Sequence, residues 1–144
     1  MMRASENGIA LICEYEGFSA TVYHDAAGLP TIGYGHLIRA GECFSQPLSE
    51  VAARALLRQD VAVAEHAVAK FITAPLTQNQ CDALVSFTFN LGAGVLQRST
   101  LRRVLNRGEY DAVPAQLMRY VWAGGRKLPG LIRRRAAEAE MFEG

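Results

Sequence analysis

Three side chains in this sequence have the types and settings that suit chemistry: Glu16, Asp25 and Thr31. Glu16 stands directly before Gly17, where a run with helical spacing stops. The C-terminal pole of a helix is negative and favours a carboxyl in its protonated form. An acid that holds its proton near neutral pH is what a glycosidase uses to protonate the oxygen of a leaving sugar. Asp25 follows in the turn sequence Asp25-Ala-Ala-Gly28, where water reaches it. Two carboxyls in different environments divide acid and base roles between them. Thr31, on the returning extended run, offers a hydroxyl able to hold a water between itself and Asp25. A Glu and an Asp at this separation occur in most proteins, however, and the ordinary reading of each is a solvated surface charge.

The elements that must position these residues are legible in the patterning. Ile9, Ile12 and Cys13 recur at helical spacing and predict a helix from about Ser5 to Tyr15. Thr21, Val22 and Tyr23, then Thr31-Ile-Gly-Tyr, suit strands on either side of turn residues that include Gly28 and Pro30, which predicts a β-hairpin. Ser49 caps a long helix reaching about Ile72, with Ala53, Leu57, Val61, Ala64, Val68 and Phe71 as its apolar stripe. Thr77 with Gln80 makes a capping box for a helix that stops at Gly92. Ser99 caps a short helix ending before Gly108, Asp111 caps another to about Tyr120, and Pro129 opens a last helix to Phe142. Strands and helices are segregated, so the class is α+β. No internal repeat or low-complexity linker divides the chain. The expectation is a single domain over residues 1–144, with a small β-hairpin lobe (about 17–47), a linking helix (about 49–72), and a larger helical lobe (about 77–144) joined by the N-terminal helix.

Half of the residues are hydrophobic and a fifth charged, which excludes a disordered chain. The longest uncharged stretch, Ala83 to Gln97, contains Ser86, Thr88, Asn90, Gly92 and Gly94 and makes a poor membrane span. The N-terminus carries Glu6 and Glu14 around a short apolar run and does not read as a signal peptide. Folding in the cytoplasm is therefore expected, without stable membrane insertion. The net charge of +1 conceals an asymmetry: residues 1–76 carry 5 basic and 8 acidic groups, and residues 77–144 carry 10 and 6. The basic C-terminal part suits an anionic polymer, or is simply a solvated face. Cys13, Cys43 and Cys81 form no CxxC pair and read as free thiols, with Cys13 and Cys81 as buried small hydrophobes.

The string Glu16-Gly-Phe-(x4)-Tyr23-His-Asp25-(x2)-Gly28-(x2)-Thr31-Ile-Gly-Tyr-Gly-His36 resembles the signature of phage-type lysozymes, or endolysins. The likeness continues in Gln80-(x3)-Leu84-(x2)-Phe87-(x2)-Asn90-Leu-Gly-Ala-Gly94, in Ser99-Thr-Leu101, and in Trp122-Ala-Gly-Gly-Arg126 with Gly130-Leu-(x2)-Arg134-Arg135-(x2)-Glu138. It covers nearly the whole chain. The resemblance implies a two-lobed lysozyme-like fold with a sugar cleft between the lobes and no cofactor or metal. It implies hydrolysis of the β-1,4 bonds between N-acetylmuramic acid and N-acetylglucosamine in peptidoglycan. Glu16 would be the general acid, Asp25 the carboxylate that activates water, and Thr31 the helper for that water, with inversion at the sugar. Leu37, Phe89, Thr100 and Gln116 match places where the family touches glycan. The resemblance also implies a monomer held in the host cytoplasm until a separate membrane-permeabilising protein releases it. The family often sets a cation near its catalytic glutamate, for which Arg126, Arg133, Arg134 and Arg135 are all candidates.

Two other readings compete. His24, Asp25 and His36 would be the zinc ligands of a metal-dependent amidase cutting the peptide part of the wall, although His24 suits the surface and His36 a hydrogen bond within its lobe. Arg102-Arg103 and Arg133-Arg134-Arg135 would serve a nucleic-acid-binding module, but Gly33-Tyr-Gly35 carries no nucleotide fingerprint. The intact Glu, Asp and Thr speak against a catalytically dead wall binder.

Overall fold

A computed structural model describes the chain from Met1 to Gly144. Helix α1 (Glu6–Glu16) starts at Ser5, whose side chain accepts the amide of Gly8, and ends at Gly17, whose N–H bonds the carbonyl of Cys13. Gly17 takes a φ of 72° there, a conformation in which a side chain would be strained. The start of α1 is fastened by two buried carboxylates. Glu65 accepts the Ala4 amide at 2.7 Å, and Asp82 accepts the Ser5 amide at 2.9 Å. The element that carries Glu16 is thereby tied to two other helices at its far end.

Strands β1 (Ser19–His24), β2 (Pro30–Gly33) and β3 (His36–Leu37) form an antiparallel sheet in that order. The hairpin is the one expected from sequence. Its third strand is two residues long, too short to show the alternation that marks a strand. Helix α2 (Glu50–Phe71) begins at the Ser49 cap and buries Ala53, Leu57, Val61, Ala64 and Val68, the anticipated stripe. Its 22 residues reach about 33 Å at a rise of about 1.5 Å per residue, and it touches β2 and β3 as well as helical neighbours.

Helix α3 (Gln78–Leu91) opens on the Thr77–Gln80 capping box and is buried without a break from Cys81 to Thr88. It is packed by α1, by α2 and by the last helix, α7 (Pro129–Glu143). The main apolar core of 24 residues lies among these helices and the short helices between α3 and α7, and the sheet region adds only Tyr34 to it. The sheet is thus a small attachment to a helical body, in keeping with the α+β class.

Between α3 and α7 the chain is more broken than its pattern suggests. A short α4 (Ala93–Arg98) sits between Gly92 and the Ser99 cap of α5 (Thr100–Asn106). Asp111 does not cap the next helix. It lies inside a 3₁₀ turn, Tyr110–Ala112, after which α6 (Val113–Leu117) begins without a side-chain cap and stops short of Tyr120. Pro114 explains the start, since its fixed φ and missing N–H suit the first turn. The chain then makes a two-stranded ribbon, β4 (Trp122–Ala123) with β5 (Arg126–Lys127). Gly124 and Gly125 both take positive φ, 58° and 78°, as a two-residue hairpin turn of the I′ kind requires.

Candidate active site

Glu16 is the last residue of α1, and its side chain is 22% exposed. One carboxylate oxygen, Oε2, lies 3.1 Å from Nη1 of Arg134 on α7. The other, Oε1, would stand 3.8 Å from a Cβ placed on Gly35, in the turn between β2 and β3. The carboxylate therefore sits where the end of α1, the sheet and α7 meet. The negative pole of α1 and the guanidinium act on it with opposite sign. It opens onto a concavity of about 570 Å³ whose lining includes Tyr15, Asn90, Leu128, Arg133 and Arg134. A concavity of similar size, near Tyr110, Pro114 and Phe142, holds none of the candidate residues.

Arg134 is the cation that sequence could not single out among four. It is held by a network between α3 and α7. Its Nε lies 3.4 Å from both the Ser86 hydroxyl and Glu138 Oε2, and its Nη2 donates to the Ser86 carbonyl at 3.3 Å. Glu138 accepts the Ser86 hydroxyl at 2.6 Å and pairs with Arg135 at 2.7 Å, and Arg135 also donates to Asn90 at 2.8 Å. Arg135 and Glu138 are fully buried. Burial pushes the Glu138 carboxyl above its ordinary value against the pull of Arg135, Ser86 and Arg134, and burial likewise lowers the Arg135 guanidinium. The spacing of Glu138 four residues after Arg134 and three after Arg135 was a readable signal for this pairing. The part played by Ser86 was not.

Asp25 is fixed by the chain around it. Its Oδ1 accepts the amides of Ala27 and Leu29, both at 2.9 Å, while Oδ2 has no protein partner. Its own N–H bonds the Leu29 carbonyl, which extends the ladder one step beyond the Tyr23–Thr31 and His24–Pro30 pairs. Alternation then sets Asp25 and Thr31 diagonally on one face of the sheet, at a separation of about 7–8 Å between backbones. Thr31 is buried and donates its hydroxyl to the Leu29 carbonyl at 2.9 Å, so its oxygen keeps lone pairs for a hydrogen from water. Leu37 is the cross-strand partner of Thr31 and is half exposed. The sheet register thus brings Asp25, Thr31 and Leu37 together.

Phe89, Thr100 and Gln116 come from α3, α5 and α6 and are partly exposed. None of them lines the concavity at Glu16. Phe89 packs on the helical core. Thr100 accepts from Arg103 at 2.8 Å, and Gln116 accepts from Arg119 at 3.2 Å.

The competing readings lose their residues to packing. His36 is buried, with Nδ1 2.8 Å from Asp60 on α2 and Nε2 3.0 Å from Glu42. Both ring nitrogens are spent, so it is unavailable to a zinc ion shared with His24 and Asp25. Burial acts to lower the His36 pKa, but its hydrogen bonds to Asp60 and Glu42 outweigh this and hold it above the ordinary 6.5. Of the run Arg133-Arg134-Arg135, the second and third are buried in the ionic network and cannot track a phosphate backbone.

An α+β body that presents a helix-terminal glutamate beside a sheet bearing an anchored aspartate suits a glycoside hydrolase of the lysozyme type, the class to which the comparisons assign the chain. Residues 13–138 match the family model described as phage lysozyme. An endolysin of Acyrthosiphon pisum secondary endosymbiont phage 1 is 40% identical over 148 aligned residues, with 99% of each chain covered. The structure of a P22 lysozyme point mutant superposes with a TM-score of 0.92 at 33% identity, covering both chains fully. The muramidase domain of SpmX from Asticaccaulis excentricus gives 0.90 at 33% identity, covering 100% of this chain and 99% of that one. The chain belongs to the phage lysozyme family. It is an endolysin-type glycoside hydrolase whose substrate is peptidoglycan.

Proposed function

We propose that this endolysin cuts the β-1,4 bond between N-acetylmuramic acid and N-acetylglucosamine with inversion, using Glu16 as general acid and Asp25 as the carboxylate that activates water. The observation that carries the reading is the placement of the Glu16 carboxyl at the meeting of α1, the Gly35 turn and Arg134, open to the concavity. Arg134 orients the acid. Asp25 keeps Oδ2 free for water because two amides occupy Oδ1. Thr31 assists by accepting a hydrogen from that water. A hydroxyl in this role is useful when water is the direct nucleophile, and an inverting enzyme separates its carboxyls to admit one. Leu37, Phe89, Thr100 and Gln116 touch the glycan strand on either side. The chain works as a monomer and as one domain.

We further propose that the enzyme waits in the host cytoplasm until a separate membrane-permeabilising protein releases it to the wall. No helix is long and apolar enough to cross a membrane. Relatives such as the 33% identical protein of Bacteriophage PS119 are named SAR-endolysins.

The test is the anomer first formed. Proton NMR of fresh hydrolysate, taken before mutarotation, shows α-anomeric reducing ends if water attacks directly. An initial β-anomer, or a sugar adduct trapped on Asp25, makes Asp25 a nucleophile and removes the role of Thr31. Glu16→Gln lowers activity by about a hundredfold or more, the low end for general acid catalysis, while the protein stays folded. Wild-type lysis by that variant overturns the assignment of the acid.

A further inference from the structure

Strand β1 reaches the candidate site through a break in its ladder. Ser19 pairs with Gly33 and Tyr23 with Thr31, so three residues of β1, Ala20 to Val22, face the single residue Ile32 of β2. A continuous ladder from Ser19 would set Thr21 opposite Thr31. The bulge inserts two residues and sets Tyr23 there instead. It is held in place by its own hydrogen bonds. Leu48 donates its N–H to the Ala20 carbonyl at 2.8 Å, and Ser19 donates its hydroxyl to the Thr21 carbonyl at 2.7 Å. Bulges that re-aim a side chain recur beside active sites, and here the side chain re-aimed is aromatic.

The register also fixes the face on which Tyr23 stands. Residues directly opposite share a face, so Tyr23, Thr31 and Leu37 form one row across the three strands. Ile32 and His36 pair on the other face, and His36 binds Asp60 on α2, which turns that face to the helical body. The row of Tyr23 is therefore turned away from α2, on the face that carries Asp25. Neighbours in such a row stand about 4.5–5.5 Å apart between β-carbons, which puts Tyr23 and Leu37 on either side of Thr31. Thr31 is buried, whereas Tyr23 is 38% exposed and Leu37 is half exposed. The hydroxyl that accepts from water thus lies low between an aromatic bank and an aliphatic one.

We infer that Tyr23 is a substrate-binding residue, whose ring packs on the sugar at the cleaved bond, opposite Leu37, while Asp25 and Thr31 hold the attacking water. In a β-linked pyranose the hydroxyls are equatorial and the ring faces present C–H groups, which meet the negative face of an aromatic ring. The role rests on Asp25 and Thr31 being the water-holding pair. Packing of this kind serves ground and transition states alike, so its loss raises KM and spares kcat.

Fluorine labelling reads the ring directly. Full-length Glu16→Gln protein is prepared with 3-fluorotyrosine, and the Tyr23 resonance is the one of five that disappears in Tyr23→Phe. Soluble, uncross-linked peptidoglycan strands shift that resonance as they saturate the protein, with binding followed in parallel by calorimetry. In the otherwise wild-type enzyme, Tyr23→Ala raises KM about fivefold, as expected for losing one aromatic contact, with kcat within about twofold. Tyr23→Phe restores most of the KM. A resonance that stays fixed through calorimetric saturation overturns the contact, as does an unchanged KM in Tyr23→Ala. A fall in kcat that accompanies a lowered melting midpoint, with KM unchanged, makes the ring a structural prop and also overturns it. If Asp25→Ala cuts these strands at the wild-type rate, the water-holding pair is wrong and the inference falls with it. If Asp25→Ala is inactive and Tyr23 stays silent, the inference fails alone.

Discussion

Glu138→Ala isolates the ionic network behind the candidate acid. The carboxylate is fully buried and faces Arg135 at 2.7 Å, Arg134 at 3.4 Å and the Ser86 hydroxyl at 2.6 Å. Deleting it leaves Arg135, itself fully buried, with Asn90 as its remaining polar partner. It also leaves Arg134 anchored only by Ser86 and Glu16. Removing one member of a buried pair costs about 3–5 kcal/mol, because an uncompensated charge stays behind. A domain of this size loses about 3–5 °C of Tm for each kcal/mol, so the midpoint falls by about 10–20 °C. Differential scanning calorimetry near neutral pH measures it. The companion variant, Arg135→Met with Glu138→Leu, removes both charges and fills the space with apolar groups. It comes within about 2 kcal/mol of wild type, because replacing a buried pair avoids the desolvation that its mutual attraction only offsets. A loss below about 1 kcal/mol in the single variant, or a double variant less stable than the single one, refutes the reasoning.

The remaining predictions concern His36, the thiols and Gly8. His36 has a raised folded-state pKa, so the stability it adds is full below about pH 6.5 and is lost as pH rises through the folded value. Glu42, held below its ordinary value by the Arg39 amide and by His36, loses its contribution as pH falls instead. His36→Gln therefore costs the protein most at about pH 5.5 and little at about pH 9, read as the Tm difference from wild type; equal differences at both values contradict the linkage. Cys43 is exposed, whereas Cys13 and Cys81 are buried, and burial pushes the Cys81 thiol up to about 11. A chromogenic disulfide reagent titrates one thiol in the native protein and three after denaturation; rapid native reaction of three shows that the core opens readily. A Cβ at Gly8 would lie 2.7 Å from Cγ of buried Asp82. Gly8→Ala therefore destabilises the protein by about 1–3 kcal/mol through overpacking, although alanine is the better helix former. A variant as stable as wild type in denaturant unfolding shows that Asp82 moves aside freely.

The long elements and the spacing of the chemistry were determined by sequence alone, because each depends on neighbours within a few turns of chain. The stripe of α2, the Thr77–Gln80 box, and the caps Ser49 and Ser99 are local features, and the structure carries each of them. Glu16 at a helix end and Asp25 in a turn follow from the same local rules. Short elements were harder to read. Helix α4 has six residues and β3 has two, too few for a period to emerge, although Gly124-Gly125 was a legible turn signal for the ribbon. Tertiary packing alone decided which cation meets Glu16, since Arg134 lies 118 residues away. It also decided that Arg134 and Arg135 are buried. A run of three arginines reads as a solvated basic face, and only a carboxylate one turn on together with Ser86 from another helix makes burial tolerable. His36 has in part the same origin: Glu42 is a neighbour six residues on, but Asp60 reaches it only once the sheet lies against α2. Periodicity records which face of an element is apolar. The partners of buried charges are set by how those faces meet.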